Sequence, residues 1–497
     1  MAQVATANDG EWMMNALICD KTAGELLDLL ARKDLSAAGL AATCLDRIAS
    51  INPQINAVCT LNPGALADAQ ASDQRRRAGQ APRPLEGVPF VAKDNLDTAG
   101  LRTTYGSKLF ADNVPTEDSI CVERMKRAGA ILLGKVNTPE FAHDINTSNL
   151  VFGTTRNPLD LQRSAGGSSG GTAAAIASGM VPIGLGTDLG GSIRIPAAMC
   201  GLFGHRPTPG RVPVYPADFG WDMLVEHVHG PMARSVADLG IMLEVLAGPD
   251  DRDPSSIPSQ GIDYAAAGRA PSECLRGRKL VYLHDFAGSL PIEPDVGAST
   301  RAAAFAFEAL GCSVAEEQFD ASDVATIVAG TRAFGMIGRY AARVESSRHL
   351  LTQHLLNQVA DAAKLDVRAI ADAERLRTRY WHRVRALLER YDYIVTPTNG
   401  APAYLLDQPM PTTIAGVPVA NYRGAYRYTY AFSIVGLPVT TVPCGMTQGG
   451  LPIGLQIVAR RLADHSALEA AAAFSRAYPQ HVVRPSRLVR PAGLSGP

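Results

Sequence analysis

Long apolar runs are missing from this sequence. No stretch of 18 apolar residues occurs anywhere in the 497, and a membrane-spanning helix needs about 20, so no integral membrane segment is expected. Met1–Asp20 has no basic start followed by an apolar stretch, so no secretory signal is expected either. Blocks of one charge are absent too: the formal net charge is −1, with acidic and basic residues interspersed. That argues against a nucleic-acid or anionic-membrane surface. The eight cysteines, Cys19, Cys44, Cys59, Cys121, Cys200, Cys274, Cys312 and Cys444, contain no CxxC pair. Spread over so long a chain they make no disulfide scaffold and read as reduced residues of a cytoplasmic protein. None of the ten histidines stands in an HExxH-type pair, so no metal site is expected. Lysine is scarce: only eight of the 47 basic residues.

The chain has 46% hydrophobic residues, ample for a large core. Charged residues are 19%, below the roughly 25% of an average globular protein. Length alone suggests about three domains of ~150 residues, but large α/β enzymes can keep one continuous sheet. Thr22-Ala-Gly-Glu25 is a capping box in front of Leu26, Leu27, Leu29 and Leu30, which predicts a helix start. A second helix is predicted over Ser36–Ile51, stopped by Pro53, and a third over Ala65–Arg77. A strand–helix–strand unit is expected from Gly87–Ala92, Thr116–Gly129 and Ala130–Gly134, and another from Lys279–Leu283, Pro294–Leu310 and Cys312–Ala315. Between them lie an Ala-rich helix, Thr172–Ser178, and an apolar strand, Val181–Leu185. Val324–Arg390 is long, charged and helix-prone. Strands at Tyr393–Thr396, Val439–Val442 and Gly454–Val458 precede a last helix, Asp464–Tyr478, with Asp464 as its expected N-cap. The alternation predicts an α/β fold: a large mixed β-sheet covered by helices on both sides. Gly248–Gly261, rich in Pro and Asp, is the candidate linker or surface loop.

Chemistry concentrates at three places. Ser192 ends Asp188-Leu189-Gly190-Gly191-Ser192. Two glycines let the backbone turn sharply and aim successive N–H groups at one point, as an oxyanion hole requires. A purely structural glycine turn fits the same residues. Ser168 and Ser169 lie between the glycine pairs of Gly166–Gly171. Helix capping and phosphate binding at a helix N-terminus are the alternatives, although no lysine follows in P-loop spacing. Gly166-Gly-Ser168-Ser-Gly170 also matches the nucleophile elbow G-x-S-x-G. That motif needs a strand before the serine, whereas Asn157–Ser164 reads as a loop, and nothing marks His229 or His465 as the required histidine. Lys93 ends the apolar run Val88–Ala92. Burial there lowers a lysine's pKa and makes the neutral amine a usable base. A snorkelling ammonium or a pair with Asp94 is the alternative.

Taken together, these segments resemble the amidase signature family. Gly87-Val-Pro-Phe-Val-Ala-Lys-Asp-Asn95 resembles its lysine segment. Gly166–Gly171 with Gly186-Thr-Asp-Leu-Gly-Gly-Ser-Ile-Arg-Ile-Pro196 resembles its glycine–serine signature. Lys93 and Ser168 are 75 positions apart, and Ser168 and Ser192 24, as in the family. The resemblance runs over most of the chain and is weakest over Gly248–Arg390. It implies one catalytic domain over 1–497, with a helical layer over 1–80 and a variable, largely helical region over 248–392. It implies Ser192 as nucleophile, Ser168 as bridging serine with a cis peptide bond, and Lys93 as ultimate base. The N–H groups of Leu189, Gly190, Gly191 and Ser192 match the oxyanion hole, and Asp188 and Arg194 look like supports behind it. No cofactor is required. Where family members often carry Gly-Leu-Lys-Pro, this chain has Gly204-His-Arg-Pro207, expected to be structural variation. His143 and Asp144 are the ionisable residues of Phe141–Asn149, which supplies pocket wall in the family, and are the candidate substrate contacts. The expected pocket also includes Val324–Arg390, Asn399–Pro402 and Tyr422–Phe432, with Tyr422, Tyr426, Tyr428, Tyr430 and Trp381 as an aromatic wall. The expected substrate is a small, uncharged, aryl-bearing amide, because no cation or amide cluster for glutamine is legible. A glutamine-hydrolysing subunit of a transamidation complex is the alternative. Beyond its small-molecule substrate, a homodimer is the assembly allowed for.

Overall fold

A computed structural model describes residues 17–217, 227–259, 261–408, 412–419 and 426–485. Tyr422 lies outside the described residues.

Eleven short strands form one mixed sheet. In chain order they are β1 (Val58–Leu61), β2 (Pro89–Lys93), β3 (Ile131–Val136), β4 (Ile183–Asp188), β5 (Phe203–Arg206), β6 (Val228–Ala233), β7 (Lys279–Tyr282), β8 (Ser313–Glu316), β9 (Tyr393–Pro397), β10 (Val439–Met446) and β11 (Pro452–Val458). Across the sheet the order is β1-β3-β2-β4-β6-β5-β10-β11-β9-β7-β8. β2 runs parallel to β3 and β4, and β7 parallel to β8 and β9; the other neighbours are antiparallel. Alternation along the strands feeds two cores, because successive side chains point to opposite faces. On β7, Leu280 and Tyr282 join one apolar cluster and Val281 the other; on β9, Tyr393 and Val395 part from Ile394 in the same way. Helices Ala23–Arg32, Ala37–Ile55, Val236–Leu246 and Asp464–Ala477 contribute to the first cluster. Helices Val324–Ser347, Val367–Arg390 and Arg427–Ser433 contribute to the second. Covered on both faces, the inner strands β2, β3, β4, β5, β6, β9 and β11 are buried along their whole length, as continuous apolar runs require, while the edge strands β1 and β8 are partly exposed.

The capping box forms: Glu25 N–H donates to Thr22 Oγ1 at 3.2 Å and Thr22 N–H to Glu25 Oε2 at 2.8 Å. Pro53 does not stop the second helix, which continues to Ile55. It lies in the last turn, where one missing donor matters little, and Asn56 closes the end in the left-handed conformation at φ 57°. Asp464 is not an N-cap but the first helical residue, after Ala463. Its buried carboxylate instead takes Thr208 N–H at 2.6 Å and Thr208 Oγ1–H at 2.7 Å. The segment read as a loop before Ser168 contains a small hairpin, Arg156–Asn157 against Asp160–Ser164. It stands apart from the main sheet. Within the candidate linker or loop, the described residues 248–259 are tied down: Asp253 is buried and accepts Val214 N–H at 2.8 Å. Among the described residues no helix is long and apolar enough to cross a membrane. All eight cysteines are free thiols, six of them buried.

Candidate active site

β2 and β4 are parallel neighbours, so Lys93 and Asp188, their last residues, emerge at the same edge of the sheet. In open α/β sheets that carboxyl edge is where ligands sit. Helix Gly170–Ala177 starts there and brings Ser168 just ahead of its first turn. The Gly167–Ser168 peptide is cis. Thr147, from the expected wall segment, fixes this loop: its hydroxyl donates to Gly166 O at 2.9 Å and accepts Gly170 N–H at 3.1 Å.

Lys93 is wholly buried. Its Nζ lies 2.7 Å from Ser168 Oγ and 2.8 Å from Thr187 Oγ1. Burial pushes the ammonium well below the ordinary lysine range, and the Asp188 carboxylate only partly opposes that shift. Lys93 does not pair with Asp94. The Asp94 carboxylate turns away to take Thr104 Oγ1–H at 2.5 Å and Thr104 N–H at 3.1 Å. A neutral amine has a lone pair, and the contact with Ser168 gives it one hydroxyl proton to accept.

Ser192 follows the glycine turn and is partly exposed to the cavity. Its hydroxyl is not hydrogen-bonded to Ser168; catalytic contacts of this kind often close only around a bound substrate. The turn is wedged tightly. A Cβ on Gly190 would overlap the Tyr430 ring, and one on Gly191, at φ 126°, would overlap the Thr429 side chain. Of the four expected oxyanion donors, Gly191 is already committed: its N–H donates to Asp188 Oδ1 at 2.7 Å. The N–H groups of Leu189, Gly190 and Ser192 are not taken up by any acceptor among the described residues. The Gly191 N–H thus braces the turn against Asp188.

Asp188 is the hub of the support. Arg194 grips it through Nε–Oδ2 at 2.9 Å and Nη2–Oδ1 at 3.0 Å, a bidentate pair. Arg206 Nη1 adds contacts to the Asp188 carbonyl at 2.8 Å and to Oδ1 at 3.2 Å. Despite its burial, these two guanidiniums hold the Asp188 carboxyl well below the usual carboxylate range. The residue expected to be structural variation, Arg206, thus belongs to the site's support. Arg194 continues outward to Gln456 Oε1 at 2.7 Å and Ser433 Oγ at 2.6 Å.

A cavity of about 750 Å³ opens over Ser168, Thr187, Leu189, Gly190 and Ser192. His143 and Asp144 line it, but neither side chain is idle. Arg332 Nη2 lies 2.8 Å from His143 Nδ1. A guanidinium can only donate, so Nδ1 carries the lone pair, and Nε2–H donates to Tyr340 OH at 2.9 Å. Asp144 Oδ1 accepts Ile145 N–H at 2.7 Å and Asn146 N–H at 3.3 Å, while burial pushes its carboxyl up.

The cavity has an aromatic wall, built mostly from other residues than expected. Tyr105 and Phe110 have ring centroids 5.0 Å apart, Phe110 and Phe141 5.9 Å, and Phe141 and Tyr340 5.1 Å. Of the expected tyrosines among the described residues, only Tyr430 lines the cavity; Tyr426 and Tyr428 are core residues. Trp381 faces a separate depression with Arg385 and Leu388, and Asn399–Pro402 is not part of the wall. The cation cluster that was not legible is present: Arg332, Arg339 and Arg343 line the cavity. They recur with helical spacing on Val324–Ser347, which is the signal sequence reasoning missed. Thr187 and Asn95, whose Nδ2 donates to Thr187 Oγ1 at 3.2 Å, were missed although both stand inside the quoted motifs.

The family profile described as Amidase matches residues 40–468. An acylamidase from Rhodococcus erythropolis is 33% identical over 92% of this chain and 95% of its own length. A glutamyl-tRNA(Gln) amidotransferase subunit from Moorella thermoacetica is 36% identical over 93% of this chain and 98% of its own. The crystal structure of a bacterial aryl acylamidase of the amidase signature family superposes with a TM-score of 0.87 at 30% identity, covering 94% of this chain and 98% of that one.

Proposed function

The chain belongs to the amidase family and is an amide hydrolase, and from that premise we propose that it works through an acyl-enzyme on Ser192. Neutral Lys93 draws a proton from Ser168, which draws one from Ser192 as its oxygen attacks the amide carbonyl. The oxyanion is received by the N–H groups of Leu189, Gly190 and Ser192. The proton returns through Ser168 to the leaving amine, and water then cleaves the ester. The observation that carries this reading is the 2.7 Å contact between Lys93 Nζ and Ser168 Oγ in a fully buried setting.

For the substrate we propose a small aryl-bearing carboxylic amide. Support comes from the aromatic wall of Tyr105, Phe110, Phe141 and Tyr340 and from the likeness to an aryl acylamidase. The uncharged character expected of it rested on finding no cation cluster. Arg332, Arg339 and Arg343 remove that ground. The second reading, a glutamine-hydrolysing subunit of a transamidation complex, draws on the identity to the amidotransferase from Moorella. Size-exclusion of the pure protein and a panel of aryl, alkyl and amino-acid amides with mass-spectrometric product detection separate the two. Stand-alone turnover of aryl amides above glutamine is expected. Turnover of glutamine alone, dependent on an added partner protein, contradicts the first reading.

A further inference from the structure

His229 lines the cavity but has no part in the proton relay described above. It stands on β6 directly opposite Thr187 of β4. Side chains opposed in an antiparallel pair share a face, with Cβ atoms about 5 Å apart. Thr187 Oγ1 is the atom 2.8 Å from Lys93 Nζ. His229 therefore borders the Lys93 and Ser168 side of the cavity, from which the proton returns to the leaving amine.

Its neighbours fix which ring nitrogen of His229 holds the proton. A carbonyl only accepts, so the single Ser119 hydroxyl proton goes to Asp97 O at 3.1 Å. Toward Cys121 Sγ, 3.6 Å away, Ser119 Oγ then only accepts, and the thiol donates. Burial pushes that thiol up to about 11, so it keeps its proton at neutral pH. With that proton spent, Cys121 Sγ accepts from His229 Nδ1 at 3.5 Å. Nδ1 thus carries the hydrogen and Nε2 the lone pair. His229 is 5% exposed, and burial pushes its pKa down to about 3, so the ring stays neutral. His227 packs across it at 83°, with ring centroids 5.6 Å apart. Nδ1 is turned to Cys121, so the edge of the ring left to the cavity carries Nε2. Among the described residues nothing bonds to Nε2, nor is it one of the unpaired polar atoms buried among them.

Resting on the amide-hydrolase reading above, we propose that His229 Nε2 is a specificity-determining acceptor, and that the amine part of the substrate carries a hydroxyl or amino group that donates to it. Such a donor satisfies a buried neutral acceptor, and an ether or methyl group in its place leaves that acceptor unpaired.

Two matched pairs test this: 3-hydroxyacetanilide against 3-methoxyacetanilide, and 4-hydroxyacetanilide against 4-methoxyacetanilide. A methoxy group cannot donate. In at least one pair the phenol is expected to exceed both its methoxy partner and plain acetanilide in kcat/KM by about tenfold, the scale of one buried hydrogen bond. His229→Phe is expected to lose most of that ratio. The tautomer is read in the parent chain by nitrogen-15 labelling of histidine and long-range proton–nitrogen correlation, the His229 signal being assigned by its absence from His229→Gln. A proton on Nδ1 and none on Nε2 is expected at pH 7. Calorimetry on Ser192→Ala reads binding separately, and the phenols are expected to bind more tightly than their methoxy partners. A proton on Nε2 overturns this inference alone, as does a ratio unchanged in His229→Phe. Methoxy compounds hydrolysed as fast as both phenols do the same. Hydrolysis of none of the five compounds, with no calorimetric preference for the phenols, overturns the inference and the aryl-amide reading together.

Discussion

Lys93 costs stability to the fold that uses it. Burying an ammonium is unfavourable, so the folded chain holds the amine neutral at pH values where the unfolded chain still binds a proton. Stability must therefore rise with pH between the lowered pKa and the ordinary lysine value of 10.5, by up to about 1.4 kcal/mol per pH unit from this group. Lys93→Met lacks that contribution, so its stability relative to the parent should fall as pH rises from 7 to 10. Denaturant unfolding at both values measures it, and a pH-independent difference contradicts a neutral Lys93. The same sign governs the kinetics. Activity should climb as Lys93 loses its proton, with the rise complete well below pH 10.5. Lys93→Arg should be nearly dead, because Arg keeps its proton. Lys93→Ala should lose more on amides than on activated esters, whose leaving groups need no returned proton. An active Arg variant defeats the base assignment.

The turn between β4 and the short helix Arg194–Met199 joins structure to chemistry. Asp188 fixes it from inside, through Gly191 N–H at 2.7 Å and Ile193 N–H at 3.2 Å, while Tyr430 and Thr429 press on it from outside. Gly190→Ala must displace Tyr430 or the turn. Either shifts a donor, and loss of one oxyanion donor costs roughly 10²–10³ in kcat. Steady-state kinetics with circular dichroism checks this, and a well-folded variant within threefold of parental kcat contradicts it. This element was legible because glycine spacing and the serine stand in one continuous motif. The pocket wall was less so. Tyr426, Tyr428 and Tyr430 look alike in sequence, yet only Tyr430 reaches the cavity, because Tyr428 on helix Arg427–Ser433 and Tyr426 just ahead of it pack into the core. Tyr105 and Phe110 come from a loop whose path no local pattern specifies.

At the scale of the whole molecule, eight of the eleven strands were legible from alternation and from apolar runs bounded by glycine and proline, while β1, β5 and β6, short or interrupted by glycine and proline, were not. Strand order was not, since it depends on contacts between residues hundreds of positions apart, such as Arg194 with Gln456. The Gly191 N–H shows the same limit at short range: it donates to Asp188, a partner three residues away whose direction the sequence does not specify. Ser192→Ala is expected to keep the fold, since the change is small, and to retain less than about a tenth of the parental rate, the loss of a nucleophile typically costing orders of magnitude. The most direct test of the account is to trap the intermediate with an activated aryl ester, then locate the acyl group by intact-mass and peptide-mapping mass spectrometry. The account predicts one acyl group per chain on Ser192, absent from Ser192→Ala and formed far more slowly in Lys93→Arg. An acyl group on Ser168, or on any other residue with Ser192 unmodified, would contradict it.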